Sequence, residues 1–182
     1  MSNGVNVFIG EVVTRWLTEP DGAHRNMELT EPFAYIDPSG KRWEAAAGRV
    51  VNGASIPGVL WNSVGPPYVG NYRRATVLHD VACEDRTEPY LAVHRMFYDA
   101  MRADGVSRTR AFVMYQAVRR FGPSWQLGPA PAKAVTAFTA AEPATIADMD
   151  RLEAASERAL DELGPTASLD DLDSRVDTLF PN

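Results

Sequence analysis

A histidine and an aspartate stand side by side at positions 79 and 80, within RRATVLHDVACED of residues 73–85. Imidazole and carboxylate groups bind divalent metals and transfer protons, which makes this pair the first candidate for chemistry. Cys83 follows His79 by four residues, so on a helix the two side chains share a face and can reach one ion. Asp80 is turned about 100° around that helix, so it reaches the same ion only at the helix edge.

A second histidine, His94, falls on the next predicted helix and shares a face with Tyr98. Packing of the two helices side by side would bring His94 towards His79. Two histidines and one carboxylate with an open position form the usual donor set of a catalytic zinc or a non-haem metal. The predicted metal ligands are therefore His79, Asp80 and His94, with zinc as the expected ion.

Structural interpretations of the same residues stay open. A histidine next to an aspartate often closes a helix packing through a hydrogen bond, and a lone cysteine on an apolar face usually acts as a small hydrophobic side chain. The sequence contains no closely spaced metal motif such as HExxH or paired CxxC. Ser55 could be a nucleophile activated by His79, but it lacks the GxSxG context and could equally turn the chain or cap a short helix.

The elements that must position these residues follow an α+β pattern. Residues 5–17 are rich in β-branched and aromatic residues, and residues 33–45 are typical of a hairpin that turns at Asp37-Pro38-Ser39-Gly40. The N-terminal third is thus predicted to be a small antiparallel β-sheet of three or four strands. Residues 49–57 then leave a strand through Asn-Gly and reach a proline that can open a short helix through Trp61.

A three-helix unit is predicted between residues 71 and 121, because apolar residues recur there at spacings of three and four. Pro89 near the start and Gly105 past the end bound the second helix, and Ser107 and Gly122 bound the third. Short links make these helices antiparallel neighbours in the prediction.

The last part of the chain differs in composition from the rest. Thr145 can cap a helix through about Leu163 that has only a thin apolar stripe, and a final short helix runs from Ser168 to Leu179. A helix with so narrow a stripe gains most from burial against a partner, so residues 146–182 are predicted to contact another protein or a second copy. The predicted units are a core domain at 1–125, an Ala/Pro-rich linker or arm at 126–145 and a helical tail at 146–182.

Bulk composition narrows the function classes. The 182 residues are 45% hydrophobic, which is enough to bury a core, and the net charge of −6 argues against nucleic-acid binding as the main activity. A single cysteine excludes an intramolecular disulfide. The N-terminus lacks the basic leader and apolar run of a signal peptide, and nowhere do 18 apolar residues run together, so we expect a protein without a membrane span that is cytoplasmic at synthesis.

Three blocks of the sequence, NGASIPGVLW, GPPYVGNYRRATVLHDVAC and HRMFYDAMRADGVSRTRAFVMYQAVRRFGPSW, resemble the phage- and prophage-associated family called domain of unknown function 1353, over roughly residues 33–125. Members typically show an aspartate before Gly-Ala-Ser-Ile-Pro, the His-Asp pair, and an aspartate on the next helix ahead of an aromatic residue. Here Asn52 and His94 stand at the two aspartate positions. A histidine keeps metal-binding ability, whereas an amide is a poor metal ligand and no general base, which implies altered or lost catalysis.

Two main classes of function follow from the resemblance. In the first, the protein is a phage-type metal-dependent hydrolase acting on cell-wall peptide or glycan, with a metal-activated water, the catalytic set His79, Asp80 and Ser55, and substrate contacts from Asn52 and Tyr98. In the second, it is a non-enzymatic, virion-associated component of a phage or gene-transfer particle, a tail accessory protein that docks through its C-terminal helices. A small inhibitor of host defence is a third possibility.

Overall fold

The computed structural model describes residues 6–18, 26–53, 55, 56, 58, 70–127 and 144–181. Its strands are β1 (Val7–Ile9), β2 (Thr14–Trp16), β3 (Met27–Leu29), β4 (Phe33–Ile36), β5 (Arg42–Ala45) and β6 (Val50–Val51). They form two antiparallel sheets of three strands, in the orders β1-β4-β5 and β2-β3-β6. The α+β class expected from the sequence is confirmed, but its β part is two sheets with six strands in all and not one sheet of three or four, because residues 5–17 contribute a strand to each sheet. The chain turns at Gly10, whose φ of 79° suits a glycine, and passes from the first sheet to the second.

The hairpin predicted around Asp37 is confirmed. β4 and β5 pair with Tyr35 opposite Trp43. The buried Asp37 carboxylate accepts hydrogen bonds from the backbone N–H of Ser39 at 2.9 Å, the backbone N–H of Lys41 at 3.0 Å and the Trp43 indole at 2.9 Å. One side chain thus holds both the turn and the register, since its donors come from the turn and from the following strand.

The helices are α1 (Arg73–Asp85), α2 (Tyr90–Ala103), α3 (Arg108–Phe121), α4 (Ile146–Leu163) and α5 (Leu169–Leu179). Each packs against the next along the chain, and α1 also packs on β5 and β6. The predicted helix starts are confirmed: Ser107 accepts a hydrogen bond from the backbone of Arg110, and Thr145 forms a reciprocal capping box with Asp148. The short helix expected through Trp61 and most of the Ala/Pro-rich linker lie outside the described residues. Within those residues, none of the helices combines the length and apolarity that crossing a bilayer requires.

The C-terminal helices share one apolar core with the two sheets and the preceding helices. The stripe of α4 is buried at Met149, Leu152 and Ala159, whereas Ile146 and Leu163 at the helix ends are 64% and 40% exposed. The thin stripe that predicted a partner from outside therefore finds its cover within the chain. The docking role itself stays a prediction.

Polar contacts reinforce this packing of the tail. Asp173 on α5 accepts hydrogen bonds from the Tyr115 hydroxyl at 2.7 Å and the Gln116 amide at 2.6 Å, both on α3. Arg108, at the start of α3, donates to the carbonyl oxygens of Gly164 at 2.9 Å and Ala167 at 3.0 Å. The first residue of α3 thus holds two backbone carbonyls of the turn between α4 and α5.

We expect Leu152→Ala to lower the free energy of unfolding by about 3 kcal/mol, because it removes a fully buried side chain and leaves a cavity. The matched control is Ile146→Ala on the same helix, whose exposed side chain should contribute less than about 0.5 kcal/mol. Urea denaturation followed by circular dichroism measures both. Equal small losses would mean that α4 does not pack on the core in solution, and would favour a tail that docks elsewhere.

Candidate functional site

The two histidines of the candidate site come from neighbouring helices. His79 lies on α1 and His94 on α2, and the connection between them turns at Arg86, which caps α1 with a left-handed φ of 52°. The helix packing brings Nε2 of His79 to 2.8 Å from Nδ1 of His94. Both side chains are fully buried, with 0% exposure, so whatever this pair does takes place away from bulk water.

The far side of His94 is held by the backbone. Its Nε2 lies 3.1 Å from the carbonyl oxygen of Pro123, just beyond the end of α3. A carbonyl only accepts, so Nε2 of His94 carries the proton and, in the neutral ring, Nδ1 presents its lone pair to His79. The end of α3 thereby sets the tautomer of a side chain on α2.

Asp80, the neighbour of His79, faces a different element. Its carboxylate accepts hydrogen bonds from the backbone N–H groups of Asn52 at 3.2 Å, Gly53 at 2.5 Å and Ser55 at 3.4 Å. Gly53 has a φ of 72°, the left-handed conformation that glycine adopts without strain. Asp80 therefore binds the turn that follows β6, and because residue 52 contributes its backbone N–H here, an asparagine serves this contact as well as an aspartate does.

Ser55 connects the carboxylate to the histidines. Its hydroxyl lies 3.0 Å from Nδ1 of His79 and also contacts the Asp80 carboxylate closely. The described atoms thus form a continuous chain of polar contacts, running from Asp80 through Ser55, His79 and His94 to Pro123.

Cys83 adds a sulfur to this chain. It is buried one turn after His79 on α1, and its Sγ lies 3.7 Å from Nε2 of His79. One donor atom from each of His79, Cys83 and His94 can be chosen so that all three lie within 4.8 Å of one another. This is the spacing at which side chains with a small adjustment can surround one metal ion.

Burial sets the charge of these groups. Removal from water lowers the pKa of His94 to about 4, although the Pro123 carbonyl opposes that shift. Burial, and then the neighbouring His94, place the pKa of His79 well below its ordinary value. Burial and then Asp80 raise the pKa of the Cys83 thiol. At neutral pH without a metal, both imidazoles and the thiol are therefore uncharged.

The structure brings together most of the residues selected from the sequence. His79 contacts Ser55 on one side and His94 on the other. Asp80 contacts Ser55 and does not lie beside the histidine pair. Tyr98 packs at a tilt against Tyr115 of α3, with ring centroids 5.8 Å apart, and this contact involves no member of the histidine pair. The predicted roles of Asp80 as a metal ligand and of Asn52 and Tyr98 as substrate contacts stay predictions.

Two contributors were not selected from the sequence. Cys83 is not among the ligands predicted from the sequence, although its spacing of four from His79 places it on the same helix face. The carbonyl of Pro123 has no sequence signal, since its role depends on where the end of α3 lies relative to α2.

Fold and site together define a class: an α+β protein with a buried His-Cys-His cluster. Ser55 and Asp80 connect this cluster to the turn at Asn52 and Gly53, which we call the glycine turn. Residues 27–118 match the family model described as protein of unknown function, DUF1353, and the chain belongs to this family. The resemblance found in the sequence is thereby confirmed, and the matched segment includes both histidines, Ser55, Asp80 and Cys83.

Two relatives come from Sinorhizobium fredii (strain NBRC 101917 / NGR234). The uncharacterized protein y4jT is 43% identical over 100 residues, which cover 55% of this chain and 30% of that protein. The uncharacterized protein y4iH is 36% identical over 105 residues, which cover 58% of this chain and 43% of that protein. The alignments thus span less than half the length of either relative. No solved structure matches the chain significantly.

Proposed function

We propose that this protein is a metal-dependent, hydrolase-like enzyme that binds a divalent ion through His79, Cys83 and His94. The observation that carries the proposal is the convergence of two imidazoles and one thiol, one donor atom from each, within 4.8 Å in a buried site. Nitrogen and sulfur donors in this number suit zinc, which is the expected ion. Compared with the set proposed from the sequence, Cys83 takes the place of Asp80, whose carboxylate is engaged by the glycine turn.

The surroundings of His94 fit a metal ligand. Metal-binding histidines generally donate their second ring N–H to a carbonyl or carboxylate, and His94 donates Nε2–H to Pro123 at 3.1 Å. This leaves Nδ1 of His94 directed at His79 and available to an ion.

Catalysis is proposed from the number of donors. Among the described residues the cluster supplies three, and zinc sites with three protein ligands characteristically keep a fourth position for water or substrate. A bound zinc would lower the pKa of a water molecule towards neutrality and so supply a nucleophile. Cell-wall peptide or glycan is the substrate class that we propose on the strength of the sequence resemblance.

One observation favours a second candidate. Both histidines are completely buried, and a site that substrate cannot easily reach suits a metal that stabilises a fold more than one that catalyses. In this alternative the ion joins α1 to α2 in a non-enzymatic protein, such as an accessory component of a phage or gene-transfer particle.

Elemental analysis of the purified protein tests the metal. We expect one zinc per chain, lost in His79→Ala and in Cys83→Ser because each removes a donor. Asp85→Asn is the matched control. It removes a carboxylate from the same helix, but that carboxylate is exposed and pairs with Arg49 outside the cluster. Protein without stoichiometric metal in both zinc-supplemented and unsupplemented preparations would contradict the proposal.

Activity then separates the two candidates. Release of soluble fragments from labelled peptidoglycan by the zinc-loaded protein, absent in His79→Ala, would support the enzyme. Stoichiometric zinc with no fragment release above the His79→Ala background would support the structural centre.

A further inference from the structure

We propose that Ser55 and Asp80 are positioning residues of this centre: Asp80 accepts the Ser55 hydroxyl proton, and Ser55 accepts Nδ1–H of His79, so that Nε2 of His79 faces the ion. This inference rests on the proposed metal site and assigns the part of its hydrogen-bond network that touches no metal. It follows from counting donors and acceptors along the chain of contacts.

The proton positions follow from the Pro123 carbonyl, at one end of the chain of contacts, because this group can only accept. The Pro123 carbonyl requires a proton on Nε2 of His94, so Nδ1 of the neutral ring offers a lone pair. Nε2 of His79, only 2.8 Å away, then has two choices. It either donates a proton to that lone pair, or it carries a lone pair itself and both nitrogens face a common ion.

The first choice leaves one contact without a proton. If Nε2 of His79 holds the proton, Nδ1 is an acceptor and needs the proton of the Ser55 hydroxyl at 3.0 Å. The Asp80 carboxylate, which already collects three backbone N–H groups, contacts the same hydroxyl and can only accept. A hydroxyl has one proton: given to Asp80, it leaves Nδ1 of His79 with only the Cys83 thiol, a weak donor 3.8 Å away, and given to His79, it leaves the Ser55 and Asp80 oxygens in contact with no proton between them.

The alternative, in which Nε2 of His79 carries a lone pair and faces a common ion, gives every hydrogen bond a donor and an acceptor. With an ion at the two facing nitrogens, Nδ1 of His79 keeps its proton and donates to Ser55, and Ser55 donates to Asp80. A doubly protonated His79 would give the same directions. That cation would be fully enclosed, with the ring centroids of Phe97 and His94 at 4.7 Å and 5.1 Å from its own, and burial of a charge in such surroundings is strongly unfavourable.

The glycine turn explains how Asp80 is held for this role. The backbone N–H groups of Asn52 and Gly53 bind one carboxylate oxygen, Oδ2, while Ser55 lies at the other, Oδ1. A carboxylate fixed in this way orients the serine, and the serine orients the imidazole. Groups that orient a metal ligand by hydrogen bonding to it typically raise metal affinity about 10–100-fold.

The experiment measures zinc and cobalt affinity of the metal-free full-length chain by competition with a chromophoric chelator. We expect Ser55→Ala to weaken binding about 10–100-fold at unchanged stoichiometry, and Asp80→Asn to weaken it about tenfold. Ser55→Thr keeps the hydroxyl and should bind nearly as tightly as the wild type. The visible spectrum of the cobalt-loaded protein should change in Ser55→Ala, because His79 loses the partner that fixes its ring.

A double-mutant cycle separates positioning from general loosening of the fold. Since Asp80 acts through the Ser55 hydroxyl, Asp80→Asn should add little to the loss already present in Ser55→Ala. Additive losses, or wild-type affinity in Ser55→Ala, would overturn the inference while leaving the metal site intact. If Ser55→Ala does not fold, the affinity of Asp80→Asn decides alone. A wild-type chain that binds neither metal would instead refute the proposed function.

Discussion

Zinc added to the metal-free protein is expected to raise its melting temperature by about 10 °C. A ligand that binds only the folded chain, at about a thousand times its dissociation constant, adds about 4 kcal/mol to the free energy of unfolding. For a chain of this size, each kcal/mol corresponds to about 2–4 °C. The proposed zinc donors, on His79, Cys83 and His94, come together only when α1 and α2 pack, so binding to the unfolded chain should be much weaker.

Differential scanning calorimetry with a zinc titration measures this shift. Magnesium serves as the control ion, because it prefers oxygen ligands and should leave the melting temperature unchanged. Cys83→Ser should lose most of the zinc effect, since zinc binds thiolates far better than hydroxyl groups. An equal shift with zinc in the wild type and in Cys83→Ser would place the ion elsewhere in the chain.

The second large effect is acid destabilisation of the metal-free protein. His94 has a pKa of about 4 when folded, against an ordinary value of 6.5, so between these pH values the unfolded chain binds more protons than the folded one. The contribution of His94 to stability therefore falls as the pH drops from 6.5 towards 4, and it is constant above that window. His94 alone accounts for about 3 kcal/mol, and His79, also lowered by burial, adds in the same direction.

Asp99 changes stability in the opposite direction over a similar pH range, so its effect must be measured separately from that of His94. Burial raises its pKa from 3.8 to about 6, so the folded chain binds the extra proton there and gains stability as the pH falls. Comparison of His94→Gln with the wild type isolates the histidine, and Asp99→Asn isolates the carboxyl. Urea unfolding in chelator at several pH values should give a shallower dependence for His94→Gln. Parallel profiles would show that His94 is not buried as a neutral imidazole.

Local sequence signals predicted most of the helical structure. The N-caps Ser107 and Thr145, with regular apolar spacing, determine where α3 and α4 begin, and both were confirmed. The number of sheets was missed because three-residue strands carry little periodicity and their pairing partners are distant. β1, for example, pairs with β4 rather than with β2.

The candidate site was predictable only in part, for a related reason. The pairing of His79 with His94 follows from two adjacent helices with a short link, which a sequence can indicate. The orientation of Asp80 depends on a turn 25 to 28 residues away, whose backbone N–H groups attract the carboxylate. Backbone groups of this kind have no residue-specific signal, so the engagement of Asp80 by this turn, and not by the histidines, could not be predicted.

The chain of contacts from Ser55 to Pro123 also bears on the order of folding. Its links join residues separated by 24, 15 and 29 positions, so three loops must close before the whole chain of contacts exists. We expect tight binding of an ion to depend on this whole chain of contacts and so to come late in folding. We therefore expect zinc to act on the lifetime of the native state: it should slow unfolding and leave the rate of folding almost unchanged.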